Sequence, residues 1–240
     1  MRVVILAGGL GTRFSEETEH RPKPMIQIDD KPILWHIMNI YAKQGIMDFV
    51  IATGYKSEVI ESWVESLKST WKISCINTGL QTQTGGRIKK CLNELGTGPV
   101  FMTYGDGLGN VNLRKLLDIH RRNRKIATVT AVRPPARFGH LNIEDEIVTR
   151  FGEKNQLDVG WINGGFFILE HDVIEYIVDP MEAFETGAMT RLTKLGKLAA
   201  HKHNGFWLPM DTKSERDTLS KLANEPEQPW LKDLPIDSFS

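Results

Sequence analysis

The chain has 240 residues, 40% of them apolar, and its 30 Lys+Arg balance 30 Asp+Glu. That neutral sum, with a pI near 7.1, excludes a protein built mainly to bind nucleic-acid phosphates or an anionic membrane, since both demand a basic excess. Two cysteines, Cys75 and Cys91, exclude a disulfide scaffold and suit a reducing compartment. No apolar run reaches the roughly 18 residues of a membrane helix, so a cytoplasmic chain is expected.

A β-branched run at 3–6 stops at Ala7-Gly8-Gly9-Leu10-Gly11-Thr12-Arg13, the pattern of a buried parallel strand opening into a phosphate-facing loop. The spacing then predicts a helix over 32–41, started by Pro32 and stopped by Gly45, a strand over 49–54 and a helix over 57–68. A strand at 71–76, a strand at 99–104 and a helix at 113–123 continue the alternation. Strand after helix after strand implies an α/β fold, a mainly parallel sheet with helices on both faces. After a strand at 127–132 the pattern changes. Strand-like pieces around Leu141, at 147–151 and at 165–169 lie close together, as antiparallel additions to one edge. Helices near 173–177, 189–195 and 215–223 follow, and 225–240, with Pro226, Pro229 and Pro235, reads as a loosely packed tail. No repeat, low-complexity tract or long linker interrupts the chain, so one domain over 1–240 is expected.

The glycine turn is not a P-loop, because no Gly-Lys-Ser/Thr follows, and Phe14 stands where a dinucleotide fingerprint has its third glycine. Its company is cationic. Arg13 supplies a fixed positive fork beside backbone N–H groups. Lys23 lies between Pro22 and Pro24, which restrict its backbone and present its ammonium at a set position. Two cations and a glycine turn at a strand's carboxyl end describe a polyphosphate site.

Leu6-Ala7-Gly8-Gly9-Leu10-Gly11-Thr12-Arg13 followed by Pro22-Lys23-Pro24-Met25 resembles the signature of the sugar-1-phosphate nucleotidylyltransferases. Further blocks appear in family order. They are Lys31-Pro32-Ile33-Leu34-Trp35-His36, Thr84-Gly85-Gly86-Arg87, Thr103-Tyr104-Gly105-Asp106-Gly107, Arg137-Phe138-Gly139, Phe151-Gly152-Glu153-Lys154, Trp161-Ile162-Asn163-Gly164-Gly165 and Trp207-Leu208-Pro209-Met210-Asp211-Thr212. Together they resemble the glucose-1-phosphate cytidylyltransferase branch. The resemblance implies a Rossmann-like nucleotide-diphospho-sugar transferase fold, with 1–132 mainly serving the nucleotide, 133–225 mainly the sugar phosphate, and 226–240 forming the tail. It implies attack by the phosphate of a sugar 1-phosphate, glucose 1-phosphate first, on the α-phosphate of a nucleoside triphosphate, CTP first. The products are an NDP-sugar and pyrophosphate. UTP, dTTP or another phosphorylated acceptor stay open as partners, as does a non-catalytic sugar-nucleotide-binding subunit. Positioning and charge neutralisation carry such a step, and no general base is needed because the attacking oxygen is already ionised.

Carried over residue by residue, the resemblance makes Arg13, Lys23 and Asp106 catalytic. Arg13 would hold the β- and γ-phosphates and Lys23 the α-phosphate, while Asp106 and Asp211 would hold Mg²⁺ through hard oxygen ligands. Leu6, Gly8, Gly9, Gly11 and Thr12 would surround the nucleotide, and Thr84, Gly85 and Gly86 would line the base pocket. On the sugar side, Glu153 would accept from ring hydroxyls, Lys154 would grip the phosphate, and Gly139, Asn163 and Gly164 would shape the cleft. The chain also departs from the branch. A short connection at 68–78 replaces a longer insertion associated there with subunit packing and nucleotide contacts, which leaves base choice and a homo-oligomer open. Asn155 replaces a proline, and Ala188-Met189-Thr190 a Pro-Leu region, both toward the sugar side.

Overall fold

The computed structural model describes residues 1–11, 18–134, 140–152, 160–236 and 239. In chain order, β1 (Val3–Leu6) precedes a 3-10 turn at Lys23–Met25 and a small ladder of β2 (Gln27–Ile28) and β3 (Lys31–Pro32). Next come α1 (Ile33–Ala42), β4 (Asp48–Thr53), α2 (Ser57–Ser66), β5 (Lys72–Asn77), α3 (Thr84–Leu95) and β6 (Val100–Tyr104). β7 (Gly107–Gly109), α4 (Leu113–Asn123), β8 (Ala127–Val132), β9 (His140–Glu144), β10 (Ile147–Gly152) and β11 (Ile162–Leu169) follow. A 3-10 segment at His171–Tyr176, α5 (Ala188–Lys194), β12 (Leu198–Lys202), β13 (Trp207–Pro209) and α6 (Lys213–Ala223) come last.

One 7-stranded sheet runs β12-β8-β11-β6-β1-β4-β5. β1 pairs in parallel with β4 and β6, β4 with β5, and β12 with β8, as the strand-helix alternation predicts. The antiparallel strand is not where the sequence suggested. β11 lies inside the sheet, antiparallel to both β6 and β8, instead of being added at an edge. The cause is the path of the chain. It leaves β8 at the carboxyl end, forms the β9–β10 pair outside the sheet, and returns with Ile162 opposite Val132, so β11 can only run the other way.

Alternation divides each central strand between two cores. Val3 and Ile5 of β1, Phe49 and Ile51 of β4, and Phe166 and Ile168 of β11 pack with α1 and α4 on one face. Val4, Leu6, Val50, Ala52, Phe167 and Leu169 pack on the other with Ile88, Cys91 and Leu92 of α3. Burying each of the Val, Leu, Ile and Phe side chains among them contributes about 1.5–3 kcal/mol, which makes the continuous apolar strands the middle layer.

One expectation needs correction. The segment after α6 is anchored: Trp230 is 0% exposed, its ring 5.5 Å from His36 and 6.1 Å from Phe206, and Phe239 meets Phe101 at 5.9 Å. Its prolines end helical structure without detaching the chain, because aromatic burial outweighs the cost of ordering it. α3, for which the sequence predicts no element, starts on Thr84-Gly85-Gly86 although each helical glycine costs about 1 kcal/mol. Contact explains it. A Cβ at Gly86 would lie 2.3 Å from the Pro180 carbonyl oxygen, and one at Gly85 2.8 Å from that of Glu182. No helix among the described residues is long and apolar enough to cross a membrane.

Candidate active site

The carboxyl ends of β1 and β6 and the amino end of β11 border a cavity of about 720 Å³, within the range of small-molecule sites. Its floor begins where β1 ends. Ala7 N–H donates to Ala52 O at 3.0 Å, and Gly8 O accepts from Tyr55 N–H at 3.1 Å. Gly8 is wedged: a Cβ there would sit 2.1 Å from Arg87 Nη1. Gly9 is exposed, with nothing within 4 Å of a Cβ, so its backbone is approachable. Gly11 turns the chain with φ +64°, the left-handed region that favours glycine.

Lys23 opens its 3-10 turn between Pro22 and the buried Pro24. Its Nζ donates to Asp106 Oδ2 at 2.7 Å and to Asp211 Oδ1 at 2.7 Å. Burial alone would lower its pKa. Attraction to Asp106 and hydrogen bonds to both carboxylates outweigh burial and raise it above the ordinary lysine value, so the ammonium is charged at neutral pH. Topology makes this meeting. Asp106 follows β6, and β13 pairs antiparallel with β7, with Pro209 opposite Gly107 and Met210 N–H donating to Asp106 O at 2.7 Å. Asp211 is thereby set beside Asp106. The start of α6 fixes it: the Glu215 carboxylate accepts from Asp211 N–H at 2.8 Å and Thr212 N–H at 2.9 Å, within a Thr212–Glu215 capping box.

Two carboxylates converging on one cation are hard oxygen donors that suit Mg²⁺, which usually takes one or two carboxylates plus phosphate oxygens and waters. No group of three or more His, Cys, Asp and Glu among the described residues is arranged to hold a metal. The pair fits a cation shared with a phosphate-bearing ligand better than a closed protein cage.

Leu6, Gly8, Gly9, Gly11, Lys23, Thr84, Asp106, Asn163 and Asp211 all line this one cavity. Gly85 and Gly86 do not, since they pack against 180–182. Gly164 also stands behind the wall. A Cβ there would meet Val132 Cγ1 at 2.6 Å, and its carbonyl accepts from Trp207 Nε1 at 2.8 Å. Thr12, Arg13, Gly139, Glu153 and Lys154 lie outside the described residues.

Sequence reasoning assigned no role to three other lining residues, Arg87, Tyr104 and Glu185. Arg87, 4% exposed, donates to the carbonyls of Thr53 at 3.2 Å and Gly79 at 2.9 Å, and to Thr78 Oγ1. It ties the glycine turn to the segment leading into α3. Its sequence signal is an arginine beside the apolar stripe of Ile88, Cys91 and Leu92. Tyr104 and Glu185 are hydrogen-bonded to each other.

The family model described as nucleotidyl transferase matches residues 2–212. The glucose-1-phosphate cytidylyltransferase of Salmonella typhi is 39% identical over 253 residues, covering 96% of this chain and 98% of that one. A Bacillus subtilis (strain 168) protein named probable glucose-1-phosphate cytidylyltransferase is 39% identical over 252 residues, covering 96% and 99%. Among solved structures, a UDP-glucose pyrophosphorylase complexed with UDP-glucose aligns with a TM-score of 0.72 at 17% identity, over 92% of this chain and 97% of that one, a likeness of fold alone. The matched region runs from the strand that opens the glycine turn to the aspartate that meets Lys23, and the chain belongs to the nucleotidyl transferase family.

Proposed function

We propose that this protein joins CTP to glucose 1-phosphate, giving CDP-glucose and pyrophosphate. The observation that carries the reading is the Lys23 ammonium held by Asp106 and Asp211 in the cavity bordered by the glycine turn. The identity to cytidylyltransferases supports the choice of partners.

An oxygen of the sugar phosphate bonds to the α-phosphorus as the bond from that phosphorus to the bridging oxygen breaks, and the electron pair leaves with pyrophosphate. Charge neutralisation is the main demand on the protein. Lys23 has three N–H donors. Two go to carboxylates, and the third is available to an α-phosphate oxygen. Arg13 is assigned to the β- and γ-phosphates, Glu153 and Lys154 to the sugar hydroxyls and phosphate, and Gly139, Asn163 and Gly164 to the shape of that side. Asp106 and Asp211 would hold Mg²⁺, which neutralises charge developing on the leaving pyrophosphate when bound. The free thiols Cys75 and Cys91 are pushed up by burial to about 11 and about 12, which keeps both protonated near neutral pH and leaves them no part in the transfer.

The test is a matrix of CTP, UTP, dTTP and GTP against several hexose 1-phosphates, read by pyrophosphate release. CTP with glucose 1-phosphate is expected to exceed every other pair by about tenfold or more in kcat/KM. Another pair at the top would replace these substrates, and silence in all wells would remove the reaction.

A further inference from the structure

Glu185 stands in the cavity wall, in the turn that leads into α5. Its carboxylate accepts from the Tyr104 hydroxyl and, at 2.8 Å, from Thr84 Oγ1. Both donors are themselves oriented. Thr84 Oγ1 accepts from Phe184 N–H at 2.8 Å, and the Tyr104 oxygen accepts from Asn163 Nδ2 at 3.1 Å. Asn163 is held in turn, its Oδ1 accepting from Gly165 N–H at 2.9 Å. The two hydroxyl protons are thus committed to Glu185. The Tyr104 hydroxyl points its proton at the negative Glu185 carboxylate, so in this contact it serves as a donor.

A carboxylate offers about four lone-pair directions, and these contacts use two. The same charge repels the phosphates that Lys23 would attract. What it can take is an uncharged hydrogen-bond donor. We propose that Glu185 is a specificity-determining residue that accepts from an O–H or N–H group of the substrates, either a ring hydroxyl of the sugar or the exocyclic amino group of the base. Thr84 and Tyr104 hold it in place. The inference rests on the nucleotidyl-transfer reading, and it links Thr84, which meets the carboxylate directly, with Asn163, which reaches it through Tyr104, two residues that the resemblance assigns to opposite substrates.

The test measures kcat/KM by pyrophosphate release for the full-length wild type, Glu185→Ala and Glu185→Gln. The substrates are CTP or UTP, paired with glucose 1-phosphate or with analogues each lacking one ring hydroxyl. Glu185→Ala is expected to lose about 10- to 100-fold with the parent pair, as for a hydrogen bond to a charged group. With the one substrate that lacks the matching donor, that loss should vanish. Disappearance with a single deoxy sugar assigns the contact to the sugar, and disappearance with UTP alone assigns it to the base. Both outcomes support the proposal. An equal loss across every substrate would overturn it and leave Glu185 a structural residue. Glu185→Gln keeps the side-chain size and supplies the same comparison if the alanine variant does not fold. Wild-type turnover with no pair would instead defeat the underlying reaction, a result distinct from a uniform loss in the variants.

Discussion

Lys23 is the hinge of the site's electrostatics. Removing its charge leaves Asp106 and Asp211 facing each other without the cation that both contact at 2.7 Å. If the ammonium neutralises the α-phosphate during attack, Lys23→Ala should lower kcat by about 10²- to 10³-fold. The nucleotide Kd, read by calorimetry, should weaken by less than about tenfold; a change confined to KM would remove the transition-state role. The prolines flanking Lys23 made its fixed placement legible in sequence, and the aspartates were legible through their motifs. Glu185 was not. Its partners Thr84 and Tyr104 lie 101 and 81 positions away, and no local pattern announces a contact made by folding alone.

Among the elements, β12 carries a measurable pH signature. His201, 3% exposed, has its pKa lowered to about 4 by burial first, then by the charges of His203 and Lys115. The unfolded ring titrates near 6.5, so between pH 6.5 and 4 unfolding takes up a proton, and stability falls as the pH falls through that window. The ceiling is about 3 kcal/mol. Melting temperatures across pH 7.5 to 4.5 should therefore decline in the wild type and decline less in His201→Leu; parallel curves would place the acid sensitivity elsewhere. Periodicity announced the parallel strands well, because strands buried on both faces read as unbroken apolar runs. It could not give the direction of β11, whose residues 164–169 are all buried and look the same in either orientation. Nor could it give α3, whose glycines argue against a helix until Pro180 and Glu182 are packed on them.

At the scale of the whole molecule, the C-terminal segment closes one of the two cores. Trp230→Ala should cost about 3–5 kcal/mol, seen as a lower denaturant midpoint at unchanged slope; a loss under about 1 kcal/mol would mean that the ring is not part of the folded core. Composition hid this anchor, since three prolines signal irregular backbone and say nothing of what one tryptophan buries. The placement of β11 beside β8 reaches further. Residues 133–161 depart from and return to neighbouring points, Val132 opposite Ile162, and doubling the length of such an excursion costs only about 0.6 kcal/mol. That stretch can be lengthened, shortened or exchanged between relatives as a cassette while the strand ladder and the Lys23–Asp106–Asp211 contact stay in register.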